Sequence, residues 1–106
     1  MTEYKVNITP TAENDILQAL NYIEYNLLNP NAANNLEAEI GDKLASLNIY
    51  PQRFAIPNDP VFKSIGIRFI VIKNYLAFYT INEQLHQVNI FRFLYGKSDW
   101  LNILKE

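Results

Sequence analysis

Gly66 to Trp100, GIRFIVIKNYLAFYTINEQLHQVNIFRFLYGKSDW, holds most of the apolar and aromatic mass of this chain and most of its strand signal. Ile67-Arg68-Phe69-Ile70-Val71-Ile72 is rich in β-branched and aromatic residues, as a strand is when both of its faces are at least partly covered. Lys73-Asn74 leaves only two residues before the next apolar run, and Asn tolerates the positive φ that a tight hairpin turn demands. Tyr75 to Ile81 returns as a second strand, Asn82 to His86 is a polar loop, and Gln87 to Leu94 makes a third strand. Alternation then puts Val88, Ile90, Arg92 and Leu94 on one face of that third strand and Asn89, Phe91 and Phe93 on the other. The stretch therefore predicts a three-stranded antiparallel sheet. Arg68 and Arg92 are the only charges within its first and third strands, so each either snorkels to an edge or stands on a functional face.

Working outward, Tyr4-Lys5-Val6-Asn7-Ile8 alternates with period two and is expected to join this sheet. Thr9-Pro10 is a helix start, because proline at the first helical position lacks an N–H that would have had no partner anyway. Ile16, Leu20, Ile23 and Leu27 follow at spacings of three and four, with Ala12 and Ala19 on the same apolar face, and Asn26 to Asn29 stops the helix. Asn29-Pro30 repeats the start signal and opens a second helix with Ala33, Leu36, Ile40, Leu44 and Leu47 in one stripe. Gly41 inside it is expected to mark a close approach to another element. Tyr50 to Pro60, with Pro51, Pro57 and Pro60, reads as a constrained loop. Beyond the sheet, Gly96 to Asp99 is a turn, and Ser98 or Asp99 caps a short helix carrying Trp100, Leu101, Ile103 and Leu104. The expected fold is a single α+β domain over residues 1–106: an N-terminal strand, a two-helix hairpin, a three-stranded antiparallel meander and a short C-terminal helix. The hairpin packs on one face of the sheet and leaves the other partly open as a docking surface.

Composition narrows the function classes. Cysteine is absent, so neither a disulfide framework nor a Cys metal site can form. MTEYKVNITP lacks the apolar core of a leader, and no apolar run approaches the ~18 residues of a membrane span, so a cytoplasmic protein without membrane attachment is expected. The formal charge of -2 divides unevenly. Residues 1–49 carry two basic and seven acidic side chains, and residues 50–106 carry seven basic and four acidic ones. The half with the sheet is the basic half. That favours an acidic or anionic partner there, yet a pI near 5.3 falls well short of a dedicated nucleic-acid binder.

Few residues offer catalytic chemistry. His86, the one histidine, lies in a loop with no serine partner in view and reads first as loop polarity, second as an acid–base group. Metal ligands at workable spacing are missing, and Glu37 and Glu39 point to different sides of a helix, so no metal and no cofactor is expected. What remains is a basic and aromatic set, Arg68, Lys73, Arg92, Tyr95, Lys97 and Trp100, expected at one end and one face of the sheet. Arg and Lys suit a phosphate or a developing negative charge, and Tyr95 a stacked base or a proton. Against this, Tyr95 and Trp100 also suit a core, and Arg92 with Asp99 an ordinary ion pair.

These residues, in this order, resemble a known family. Tyr4 to Glu13 ahead of an apolar helix, Asn29-Pro30 before Ala32-Ala33, Ser46-Leu47 through Tyr50-Pro51, Ile67-Arg68, Lys73 to Tyr79 and Phe91 to Trp100 together resemble the RelE/ParE superfamily of toxins from bacterial type II toxin–antitoxin modules. The resemblance covers nearly the whole chain. It implies a cytoplasmic growth inhibitor, neutralised by a small cognate antitoxin that alone would connect it to DNA. Leu76 stands where the RelE-like branch tends to carry an arginine, and Ser98 where it carries a basic residue. Arg92 to Trp100 fits the ParE-like tail better, and that branch poisons DNA gyrase without nuclease residues. The set Arg68, Lys73, Arg92, Tyr95, Lys97 and Trp100 would then bind the target. The alternative is a ribosome-dependent mRNA endonuclease with Arg68, Arg92 and Tyr95 as its catalytic residues, helped by Lys73. A third reading is a non-toxic partner-binding module.

Overall fold

The computed structural model describes residues 3–106, in the order β1 (Lys5–Ile8), α1 (Pro10–Asn21), α2 (Pro30–Ala45), α3 (Pro60–Ile65), β2 (Arg68–Ile72), β3 (Tyr75–Asn82), β4 (Gln87–Tyr95) and α4 (Trp100–Lys105). Both long helices begin where a capping side chain meets a proline. Thr9 accepts from the Ala12 N–H at 3.1 Å and Asn29 from the Ala32 N–H at 3.1 Å. The α1 helix runs on into a wider turn over Tyr22–Asn26, and Leu28, with φ 52, reverses the chain into α2.

The sheet has four strands in the order β1-β4-β3-β2. The meander β2–β3–β4 is antiparallel, and β1 joins it in parallel register, Lys5 opposite Gln87 through Ile8 opposite Ile90. Alternation along β4 fails at one point. An extra residue, Phe91, bulges between Phe78 and Tyr79 of β3, so Arg92 faces Phe78 where simple alternation would have set it beside Ile90. The expected grouping of Val88, Ile90, Arg92 and Leu94 is therefore wrong beyond Ile90. Val88, Ile90 and Phe93 pack with the helices, and Phe91 and Leu94 pack on the far side.

On the near face, the α2 stripe Leu36, Ile40, Leu44 and Leu47 meets Ile70, Ile72, Ala77, Tyr79 and Val88 in one buried cluster, with Ala12, Ile16 and Leu20 from α1. The far face is not left open as expected. Phe62 from α3 and Trp100, Ile103 and Leu104 from α4 close over Phe78 and Leu94. The Tyr50–Pro60 loop thus ends in a helix that the prolines seemed to forbid, since Pro60 is its first residue and Asp59 accepts from the Val61 and Phe62 N–H groups. Gly66, at φ 83, ends it. Nothing approaches Gly41 within 4 Å, so no close packing explains that glycine. Gly96 is the one that does: a Cβ there would meet the Asn74 carbonyl oxygen at 3.0 Å. Among the described residues no helix is long and apolar enough to cross a membrane.

Candidate functional site

Where β1 ends at Ile8, β4 continues for five more residues with no strand on that side. The chain turns instead into α1, and a cleft of about 880 Å³ opens between α1, the start of α2, the β2–β3 turn and the end of β4. Its floor is aromatic. Tyr75 stacks on Phe93 with ring centroids 4.9 Å apart and planes within 10°, and Tyr95 meets Tyr75 edge-on at 5.6 Å. Tyr22, Ile23 and Leu27 form the helical wall. Burial, and to a lesser degree the neighbouring phenols of Tyr95 and Tyr22, hold the Tyr75 hydroxyl above its ordinary value of 10.

Asp15 organises the polar side. Its carboxylate accepts from the Arg92 Nε at 2.8 Å and Nη2 at 3.2 Å, and from the Phe93 backbone N–H at 3.0 Å. A side chain from α1 thus takes the place a neighbouring strand would have filled. The ion pair is bidentate and its Asp15 side chain only 11% exposed, the geometry in which a carboxylate–guanidinium pair is strong. Asp15, rather than the expected Asp99, is the partner of Arg92. Asp99 begins α4 and accepts from the Asn102 side-chain amide at 2.8 Å, while Ser98 donates its hydroxyl to the Tyr95 carbonyl.

The six residues singled out from the sequence do not assemble as one patch. Lys73, Arg92 and Tyr95 line the cleft, and Lys97 is exposed in the turn just beyond it. Lys73, with φ 53, rather than Asn74, supplies the positive φ of the hairpin turn. Arg68 lies on the edge strand β2, where its Nη1 donates to the carbonyls of Gln52 at 3.0 Å and Phe54 at 2.6 Å. Trp100 is on the far face, its ring 5.4 Å from Phe78 and 6.4 Å from Phe62. His86 is at the opposite end of the sheet, edge-on to Tyr4 at 5.3 Å. Beside it Tyr4 and Gln52 donate to the Glu83 carboxylate, and these bonds, Tyr4 first, hold Glu83 below its ordinary value of 4.5. No group of three or more His, Cys, Asp or Glu placed to hold a metal exists among the described residues.

Sequence reasoning does not single out Asp15, Tyr22 or Tyr75 as site residues. A signal for the first two was present, since Asp15, Ala19 and Tyr22 fall at i, i+4 and i+7 on one stripe of α1. The apolar stripe Ala12, Ile16, Ala19, Leu20 and Ile23, one residue along, is the stronger periodic signal and masks it.

Comparison with known proteins agrees with this architecture. A structure of the chromosomal ParDE toxin–antitoxin system from P. aeruginosa superposes with a TM-score of 0.72 at 15% identity, covering 90% of this chain and 98% of that one. The RelBE2 toxin–antitoxin complex from Mycobacterium tuberculosis gives 0.62 at 22% identity, covering 90% and 93%. The archaeal RelE–RelB complex from Pyrococcus horikoshii OT3 gives 0.52 at 13%, covering 92% and 98%. At such identities the likeness establishes the fold. Curated protein sequences yield no significant match. The model of the ParE toxin of the type II toxin–antitoxin system parDE, however, matches residues 6–100. With nearly its whole length matched, the chain belongs to the ParE toxin family of type II toxin–antitoxin systems.

Proposed function

We propose that this chain inhibits growth by binding DNA gyrase through protein contacts, without chemistry of its own, and that a cognate antitoxin silences it by covering the cleft. The observation that carries this reading is the employment of the two strand arginines. Arg68 donates to two backbone carbonyls and Arg92 to Asp15. With two of its five N–H donors tied to the fold, each guanidinium is anchored to a structural partner, which counts against the ribosome-dependent RNase reading without removing its donors.

Lys73, exposed, lines the cleft together with Tyr95, and Lys97 is exposed two residues beyond Tyr95 in the following turn. An aromatic anchor with cations at its rim suits recognition of a protein surface. The similar structures come from toxin–antitoxin systems, which supports an antitoxin as the second partner. Pulse labelling of DNA and protein synthesis, minutes after inducing the chain without antitoxin, tests the target. Early loss of DNA synthesis with an SOS response is expected. Early loss of protein synthesis would overturn the gyrase reading in favour of the ribosome, and normal labelling of both would leave a binding module.

A further inference from the structure

Tyr4 and Tyr79 use their hydroxyls inside the fold, donating to Glu83 and to the Pro51 carbonyl. Tyr22, Tyr75 and Tyr95 do not: all three line the cleft, and their hydroxyls make no hydrogen bond to any described residue. The three phenols lie close together. Tyr95 meets the Tyr75 ring edge-on at 5.6 Å, and the phenols of Tyr95 and Tyr22 are near enough to add to the burial that holds Tyr75 above 10. They are also open to a ligand. Tyr22 and Tyr95 are 52% and 43% exposed; and because no buried side-chain polar atom among the described residues lacks a partner, the unpartnered Tyr75 hydroxyl is one that solvent reaches. The charged side chains of the cleft are Asp15, Arg92 and Lys73. Asp15 and Arg92 neutralise each other at 2.8 Å, whereas exposed Lys73 takes part in neither ion pair found among the described residues, so its positive charge alone is uncompensated.

We propose that the cleft is a small-molecule site for an aromatic carboxylate, whose ring lies on the Tyr75–Phe93 floor against Leu27 and whose carboxylate meets the phenol hydroxyls and the Lys73 ammonium. Phenol O–H groups without acceptors and an unpaired ammonium complement a group that only accepts, and an ionised carboxylate is such a group. The single uncompensated charge matches a monoanion. An aromatic lining by itself would also suit a cation over the ring faces, but Lys73 and Arg92 both oppose one there, and the carboxylate that could have held it, Asp15, is already bonded to Arg92. The volume of about 880 Å³ is that of a site for a small ligand, and apolar walls with a few convergent polar groups are the usual make-up of one. The site depends on neither the gyrase nor the antitoxin reading.

Titration of the purified chain with benzoate, benzyl alcohol, benzylamine and acetate, followed by amide NMR spectra, tests this. Benzoate is expected to bind at least ~10-fold more tightly than the other three, with the largest shifts at Tyr22, Tyr75 and Tyr95. The combined variant Tyr22→Phe, Tyr75→Phe and Tyr95→Phe keeps the rings and removes only hydroxyls that make no bond within the fold. It is expected to weaken benzoate at least ~10-fold and to leave benzyl alcohol unchanged, and Lys73→Gln to weaken benzoate in the same direction. Benzyl alcohol equal to benzoate, benzylamine ahead of it, shifts lying outside the cleft, or no benzoate binding would each overturn the proposal. Undiminished benzoate affinity in the combined variant would do the same. If that variant fails to fold, the ranking of the four probes on the wild-type chain, together with Lys73→Gln, decides.

Discussion

Helices α2 and α4 cover opposite faces of one sheet, and they do so with very different strength. The α2 helix spans sixteen residues and buries Ala33, Leu36, Ile40 and Leu44, each at most 6% exposed. The α4 helix spans six residues and buries none of them fully; it is held by the partly covered Trp100, Ile103 and Leu104 and by a 2.8 Å ion pair from Lys105 to Asp59. A stripe repeated over four turns accumulates apolar area against the sheet, whereas one and a half turns cannot. Stability should accordingly be concentrated on the hairpin face, with α4 opening locally at far lower cost than global unfolding.

The contrast breaks most directly if matched truncations cost the same on both faces. Leu44→Ala, at a site 3% exposed, is expected to lower the free energy of unfolding by about 2–5 kcal/mol, and Ile103→Ala by about 1 kcal/mol or less, both read from urea denaturation. Comparable losses would mean that the two covers form one cooperative core. The next effect in size concerns the join between α1 and β4. Asp15→Ala leaves the Phe93 N–H without its acceptor and Arg92 without its partner, and about 1–3 kcal/mol should be lost. Asp15→Asn keeps an acceptor for the N–H and should recover part of that loss; no recovery would show that the charge alone matters.

A smaller effect sharpens the picture of the hairpin face. Tyr79 is fully buried and donates to the Pro51 carbonyl at 2.7 Å, and burial pushes its phenol up to about 12. The raised value means that the unfolded chain releases this proton first. Its contribution is complete below about pH 10 and disappears as pH climbs toward 12. Tyr79→Phe should cost about 1 kcal/mol at neutral pH and flatten the alkaline limb of the stability curve. An unchanged alkaline limb would assign that step to another group.

The smallest effect belongs to the α4 latch. The hydrogen bond from Lys105, more than the Val61 and Phe62 N–H groups, holds the Asp59 carboxyl below its ordinary value of 3.8. A lowered value works in the opposite sense from Tyr79: the contribution is present above 3.8 and is lost as pH falls through the lowered value. Amides of α4 should therefore exchange faster in acid, as they should in Lys105→Ala at neutral pH, while those of β4 keep their protection. Loss of β4 protection at the same pH would show that the latch supports the whole fold.

Much of this was legible in the sequence because it is local. Thr9-Pro10 and Asn29-Pro30 begin helices through bonds spanning three residues, and the α2 stripe buries as its spacing predicts. Asp59-Pro60 carries the same signal, but nearby prolines mask it as a loop and a six-residue helix has too few turns to show a period. The bulge at Phe91 left no trace in β4 alone, since it exists only relative to β3. The missing rung beside Phe93, and Asp15 filling it from 78 residues away along the chain, depend on where β1 stops against β4.

By itself, then, the chain determined the order and type of its main elements, the faces of its two long helices and the family to which its motifs belong, because each rests on short spacings and on residue chemistry. Only the tertiary structure decided that β1 runs parallel to β4, that the far face is closed, that Arg68 and Arg92 have separate partners, and that Lys73, Tyr75 and Tyr95 meet in a cleft. Those outcomes turn on register and strand length between segments distant in sequence, and no local propensity encodes them.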